Sequence, residues 1–295
     1  MDVIIPTKNS AAVLGDCLKS LRAQRKYVNI IIVDANSTDK TLDLAKLYEC
    51  QIYTEPPSNV KGSRRAIACN EGLRHSRSDL VAFLDSDTII PEDWSLNMEH
   101  YFVMASRSVA GITSGCEQLD TPTSKIMSMG SPNHAKKFAS CTRLTSLPGY
   151  NAVYRRSAID KVGAFSEDIG GCEDFELNHR LLKARYMLIG VPYSPVIHKE
   201  REDINSFGKQ IHGYAWSRAR LLKTKHIFNP IHILPPLSLL TILTAAALLY
   251  QISSLATGAF IAAFLFVTAF LFMKFPYYSL FIFEWSEGYI KGLFD

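Results

Sequence analysis

Two carboxylates stand one residue apart at Asp85 and Asp87, at the end of the apolar run Val81-Ala-Phe-Leu84. Such a run reads as a buried strand, and an unpaired carboxylate is costly to bury. Both acids therefore belong at the carboxyl edge of that strand, where open α/β sheets bind ligands. Two oxygen ligands so placed suit a hard divalent cation, which can in turn hold the phosphates of a nucleotide. For these three residues alone, a solvated Asp-Ser-Asp turn is the competing reading.

Further groups have the types needed to surround such a cation. Pro6 ends the first apolar run and starts a loop whose backbone is free to meet a base. Asp34 ends the second run and can accept hydrogen bonds from a base or ribose; Asp39 is equally well explained as a first-turn helix acid. Lys61, Arg64 and Arg65 offer cations, and a guanidinium can grip a diphosphate bidentately, although a solvated helix start accounts for them too. Gly149, within Pro148-Gly-Tyr-Asn151, lets backbone approach a ligand closely, or simply makes a turn. Glu173 and Asp174 open a helix after Gly170-Gly-Cys172, where negative charge is favoured. His198 follows Pro195-Val-Ile, at the end of a short strand.

These residues must be placed by regular elements. Val3–Ile5, Ile30–Val33, Gln51–Tyr53 and Leu80–Leu84 read as buried strands. Helices are predicted near 11–25, 38–48, 61–76 and 91–104, with Ser37 or Thr38 capping the second and Pro91 in the first turn of the fourth. Alternating strands and helices with short connections imply a parallel sheet covered on both faces. Residues 107–117, 147–154 and 186–191 are further strand candidates. A helix at 173–185 carries Leu177, Leu181 and Leu182 on one face.

Size and composition bound the rest. The chain has 295 residues, 47% of them hydrophobic and 20% charged, and a formal net charge of +4. That charge is too mild to argue for nucleic acid, and no nucleic-acid partner is expected. Six cysteines stand singly, without the spacing of a zinc site or a disulfide framework. The opening Asp2-Val-Ile-Ile-Pro6 does not read as a signal peptide.

The last third differs in kind. Residues 201–232 contain Lys209, Arg218, Arg220, Lys223 and Lys225 beside Tyr214, Trp216, Leu221 and Leu222, the pattern of a basic amphipathic helix on an anionic membrane surface. From Ile233 to Met273 no residue is charged. One helix of that length would run about 60 Å, twice the roughly 30 Å of a bilayer core, so two spans divided near Gln251-Ile-Ser-Ser254 are expected. Basic residues at both ends put the flanks on the cytoplasmic side. Residues 274–295, rich in Phe, Tyr and Trp, are expected to lie at the interface.

The segment Val3-Ile-Ile-Pro-Thr-Lys-Asn9 resembles the start of family 2 glycosyltransferases, which have the GT-A fold. Ile32-Val-Asp-Ala-Asn-Ser-Thr-Asp39, Arg65, Asn70-Glu-Gly72, Asp85-Ser-Asp87, Pro148-Gly-Tyr-Asn151 and Glu173-Asp174 follow in the family's order over about the first two hundred residues. The resemblance implies a mixed, Rossmann-like sheet at 1–200. It implies a nucleotide-sugar donor, UDP- or GDP-linked, held by Pro6, Asn9, Asp34, Arg65, Asp85 and Gly149, with Ala35 standing where relatives often have a second acid. It implies a cation, Mg2+ or Mn2+, on Asp85, Asp87 and His198, Asp174 as general base and Glu173 orienting the acceptor, with inversion at the anomeric carbon. Together with the apolar hairpin, it gives a transferase in the cell membrane, crossing it more than once, with its catalytic domain cytoplasmic and a lipid-linked acceptor such as a polyprenyl phosphate. A nucleotidyltransferase and a non-catalytic membrane scaffold are the alternatives.

Overall fold

The computed structural model of the chain describes residues 1–58, 64–117, 137–199, 203–227 and 276–294, with scattered positions between 233 and 247. It divides into two compact units, one of residues 1–120 and 127–200, the other of 121–126 and 201–295.

In the first unit the chain runs β1 (Asp2–Thr7), α1 (Ala11–Arg22), β2 (Asn29–Asp34), α2 (Thr41–Leu47), β3 (Gln51–Thr54), α3 (Arg64–His75), β4 (Leu80–Leu84), β5 (Thr88–Ile89), α4 (Trp94–Met104) and β6 (Val109–Thr113). It continues through β7 (Cys116–Glu117), β8 (Thr142–Leu144), β9 (Asn151–Arg155), α5 (Arg156–Val162), α6 (Glu173–Lys183), β10 (Met187–Gly190) and β11 (Val196–His198). Eight strands form one mixed sheet in the order β3-β2-β1-β4-β9-β6-β10-β8; β5, β11 and β7 form a small second sheet. Strands β3, β2, β1 and β4 are parallel, and β9 enters antiparallel between β4 and β6.

The β1 side chains alternate between the two faces, as a strand's must. Val3 and Ile5 join Leu14, Leu18, Trp94 and Met98 in one core, while Ile4 joins Ile31, Cys69, Leu73 and Phe83 in the other. The sheet is thus flanked by helices on both faces, which explains the nearly unbroken apolar runs of β1, β2 and β4.

Several sequence expectations shift by a few residues. Pro6 does not end β1: it sits within the strand, opposite Val33, and Thr7 continues the pairing opposite Asp34. The pairing of β1 with β4 stops at Ile4 and Phe83, so Pro6 lies beyond the last pair on that side, where a missing N–H does least harm to a ladder. The second helix starts at Thr41, and neither Ser37 nor Thr38 caps it. Asp39 accepts the N–H of Thr41 at 3.0 Å and that of Ala11 at 3.0 Å, tying the starts of α1 and α2 together. The strand expected over 147–154 begins at Asn151, because Pro148-Gly-Tyr forms a turn first.

Asp2 anchors the other end of β1. Its buried carboxylate accepts the N–H of Arg77 (2.8 Å) and Ser78 (3.1 Å) and the Ser78 hydroxyl (2.8 Å). Burial pushes this carboxyl up, but the hydrogen bonds from the 76–78 turn more than offset it and hold the group below the usual carboxylate range. A carboxyl lowered in the folded state contributes stability above its unfolded value and loses it as pH falls through the folded value. The Asp2→Asn variant is therefore expected to be less stable than the parent at pH 7. The gap should close between about pH 5 and pH 2, as followed by urea unfolding across that range.

The second unit contains α7 (Ile204–Lys225) and α8 (Pro276–Phe294). Asp203 caps α7, accepting the Ser206 N–H at 2.7 Å. Helix α7 buries Phe207, Ile211, Ala215 and Ala219, a stripe repeating every four residues as helical geometry requires. The two helices cross with their backbones in contact. A Cβ added at Gly288 would collide with the His212 carbonyl oxygen, and one at Gly292 with that of Trp216. Alanine has the better helix propensity by about 1 kcal/mol, yet here the obstacle is backbone that cannot rotate away. Gly288→Ala is expected to lower stability by about 1–3 kcal/mol, visible as a lower Tm in thermal unfolding of the full chain.

Among the described residues no helix is long and apolar enough to cross a membrane. The two spans expected at 233–273 fall almost wholly outside the described residues.

Candidate active site

The ends of four elements meet around one guanidinium. Arg65, in the first turn of α3, donates from Nε (3.1 Å) and Nη2 (2.9 Å) to Asp85 Oδ1, from Nη1 (2.7 Å) to Glu173 Oε1, and from Nη2 (2.7 Å) to the Gly149 carbonyl. Gly149 has no side chain to obstruct this: a Cβ there would lie 3.1 Å from both terminal guanidinium nitrogens. The Gly149 N–H in turn donates to Asp174 Oδ2 at 3.0 Å. Residues 65, 85, 149, 173 and 174, far apart in the chain, thus form one connected network.

The segment before α6 is shaped to deliver its two acids. Gly170, Gly171 and Cys172 all have positive φ (80°, 155° and 56°), which turns the chain sharply into the helix; the first two positions suit glycine. The helix is then locked from behind. Asn178, fully buried and one turn beyond Asp174, donates to the Leu147 carbonyl (3.0 Å) and the Ser146 hydroxyl (3.1 Å) and accepts from Tyr154 (2.9 Å). This fixes α6 against the loop that carries Gly149. Buried Glu176 pairs with Arg180, which also donates to the Val162 and Gly163 carbonyls.

Charge in the network is set by burial against pairing. Burial pushes the Asp85 carboxyl up, but Arg65 and His198 more than offset it, so Asp85 is held below the usual range. Burial raises the Glu173 carboxyl; the Arg65 charge opposes this only partly and neighbouring Asp174 adds to it, so Glu173 stays raised. Arg65, despite burial, is held charged by the acids around it.

On the other flank, His198 Nε2 lies 3.2 Å from Asp87 Oδ1 and 3.8 Å from Asp85 Oδ2. Strand β11 places this histidine by pairing His198 with Thr88 of β5, just past the two acids. The imidazole stacks on Tyr150, with centroids 4.3 Å apart and planes within 14°. Asp87 Oδ1 is buried and accepts no hydrogen bond, which a bound cation would remedy. One nitrogen and two carboxylate donors within 4.8 Å of one another suit Mn2+ well; for Mg2+, oxygen donors and waters would have to complete the shell. The residues present fit a divalent cation.

The remaining residues expected on the donor side gather at the carboxyl ends of β1 and β2. Asp34, 3% exposed, accepts from the Ser37 N–H (2.8 Å), the Ser37 hydroxyl and the Thr7 hydroxyl (3.2 Å). Asn9, with φ +49°, accepts the Thr38 N–H at 2.8 Å and donates its own N–H to Ser37 at 2.8 Å. Both residues therefore shape the loop at 37–38. Arg64 pairs with Glu55, and Lys61 lies outside the described residues. Asn151 of the Pro-Gly-Tyr-Asn segment is wholly buried, bonded to Ser114, Gly115 and Trp94, and acts in the core.

Three residues of the site escaped the sequence reading. Glu55 is a buried carboxylate just past β3, its N–H donating to the Asp34 carbonyl. Tyr150 backs His198. Asn178 had a visible signal, a polar residue on the Leu177 and Leu181 face of α6; the other two had none apart from their pairing in space.

The glycosyl transferase family 2 domain matches residues 2–163, a span holding the site residues named above except those of the 170–180 segment, Glu173 and Asp174 among them, and His198. The pre-mycofactocin glycosyltransferase of Mycobacterium tuberculosis is 26% identical over 224 residues, 74% of this chain and 47% of that protein. The chain thus spans about half the length of that curated relative. Among solved structures, the mannosyltransferase PcManGT from Pyrobaculum calidifontis, in complex with GDP-Man and Mn2+, superposes with a TM-score of 0.72 at 19% identity, covering 100% of this chain and 87% of that one. TarS 1–349 of S. aureus, in complex with UDP-GlcNAc, gives 0.53 at 15% identity, over 99% and 91%. At such identities the structural likeness speaks for the GT-A-like fold, and the sequence match speaks for descent. On the matched domain, the chain belongs to glycosyl transferase family 2.

Proposed function

We propose that this chain transfers a sugar, with inversion, from a nucleoside diphosphate donor to an acceptor. The observation that carries this reading is that one arginine binds one member of each of two acid pairs: Asp85, whose neighbour Asp87 faces His198 on the donor side, and Glu173, whose neighbour Asp174 accepts the Gly149 N–H on the acceptor side. A cation held by Asp85, Asp87 and His198 would supply charge to the departing diphosphate. Asp174, its carboxylate aimed by the Gly149 N–H, takes the proton of the acceptor hydroxyl as that oxygen bonds to the anomeric carbon. The bond from that carbon to the diphosphate breaks on the opposite face, and the nucleoside diphosphate leaves. Glu173, clamped by Arg65, fixes the floor on which the acceptor sits. A lipid phosphate acceptor would need less from Asp174, because it is already ionised.

For the acceptor we infer a lipid-linked molecule at the cytoplasmic face of a membrane. The basic residues of α7 and the uncharged stretch 233–273 support this. The donor is GDP- or UDP-linked; the GDP-Man of PcManGT and the UDP-GlcNAc of TarS make those two sugars the first to try.

The test is product analysis of the full chain with GDP-mannose or UDP-GlcNAc, Mn2+ or Mg2+, and a polyprenyl phosphate. Metal-dependent release of GDP or UDP with matching glycolipid is the expected result. Pyrophosphate released from a nucleoside triphosphate and a sugar phosphate would instead make the chain a nucleotidyltransferase. Inactivity towards a full panel of donors and acceptors would favour a scaffold.

A further inference from the structure

A second group of metal-ligating side chains lies in the other unit, where α7 crosses α8. His212 Nδ1 is 3.4 Å from Glu284 Oε2, and one ligand atom from each of His212, Glu284 and Glu287 falls within 4.8 Å of the other two. Glu284 and Glu287 are three residues apart on α8 and so share a face. The Gly288 backbone rests against the His212 carbonyl. That contact sets the height of His212 on α7 against the very turn of α8 that carries both acids. The ligands therefore come from two helices whose spacing is fixed by backbone contact rather than by adjustable side chains, as a preorganised site requires.

We propose that His212, Glu284 and Glu287 form a Zn2+ site that pins α8 to α7. Imidazole nitrogen and carboxylate oxygen are both ordinary zinc ligands, and three protein ligands leave a fourth position to water. In a tetrahedral site with bonds of about 2.0–2.2 Å the ligand atoms stand about 3.3–3.6 Å apart. The His212–Glu284 pair already has that separation. Glu287, which is exposed, closes the rest by rotating its side chain. The donor set favours zinc over Mg2+, which prefers oxygen ligands and keeps its waters. The role is structural: a bound ion stabilises only the arrangement that presents all three ligands, here the crossed helix pair. This reading does not depend on the activity proposed for the first unit.

Because Asp85, Asp87 and His198 would compete for zinc, the test removes that site first. The full-length Asp85→Asn/Asp87→Asn protein, stripped with chelator, is titrated with Zn2+ by calorimetry and melted with and without the metal. One equivalent of zinc should bind, and Tm should rise. Adding Glu287→Gln should weaken that binding at least tenfold and abolish the rise in Tm; adding His212→Ala should do the same. Glu287 is exposed, so its variant tests the site even if His212→Ala disturbs the helix crossing. No zinc bound by the double variant, or zinc binding that Glu287→Gln changes less than tenfold, overturns the proposal.

Discussion

Asp174→Asn is expected to lower turnover on a hydroxyl acceptor by about 10²–10⁴-fold, the range of a positioned general base, while leaving donor affinity unchanged. Asn keeps an oxygen for the Gly149 N–H, which Asp174 now accepts at 3.0 Å, so the loop should hold its place. What disappears is the capacity to accept the acceptor's proton. The measurement is single-turnover transfer at saturating donor, beside calorimetric donor binding. Equal rates for variant and parent would remove Asp174 from the chemistry. With a lipid phosphate acceptor the loss should shrink, because that nucleophile carries no proton to be taken. The ratio of the two losses therefore reports which kind of acceptor the enzyme was built for.

Asp87→Ala is expected to abolish the dependence of donor binding on metal and to cut turnover by about 10³-fold or more, as losing several kcal/mol of charge stabilisation implies. The geometry makes Asp87 the more informative of the two donor-side acids. Asp85 is engaged by Arg65 through both Nε and Nη2, so its removal also strips Arg65 of a partner and disturbs Glu173. Asp87 instead presents a buried oxygen that accepts no hydrogen bond, facing His198. Donor titrations with and without Mn2+ decide the matter: an affinity in Asp87→Ala that still rises with Mn2+ would mean the cation is held elsewhere.

Much of this was legible in the sequence because it is local. The apolar runs at 3–5, 30–33 and 80–84 need burial on both faces, and each is a buried strand; 51–53, expected to be buried, is a strand as well, but a partly exposed one at the edge of the sheet. Helices α1, α3 and α4, expected between the strands, and α6, read from the spacing of Leu177, Leu181 and Leu182, form within a few residues of the expected ends. The elements that escaped are short. Strands β5 and β8 have two and three residues, too few for a period to show, and exist only because a partner strand lies alongside. The cap of α2 was misplaced for a related reason: Asp39 serves two helices at once, and only one of them is its neighbour in the chain.

The amino-acid order by itself determined which residues could do chemistry and at which strand and helix ends they would stand, since an acid after an apolar run has nowhere to go but the edge of the sheet. The assembly was decided by the tertiary structure. The antiparallel entry of β9 and the turn at 170–172 bring Gly149, Glu173 and Asp174 to Arg65, and the pairing of β11 with β5 brings His198 to Asp87. The physical reason is that a guanidinium with several donors, or a histidine beside an acid, is satisfied only by groups arriving from distant segments. Which segments arrive is settled by how the sheet closes, and no window along the chain contains that information.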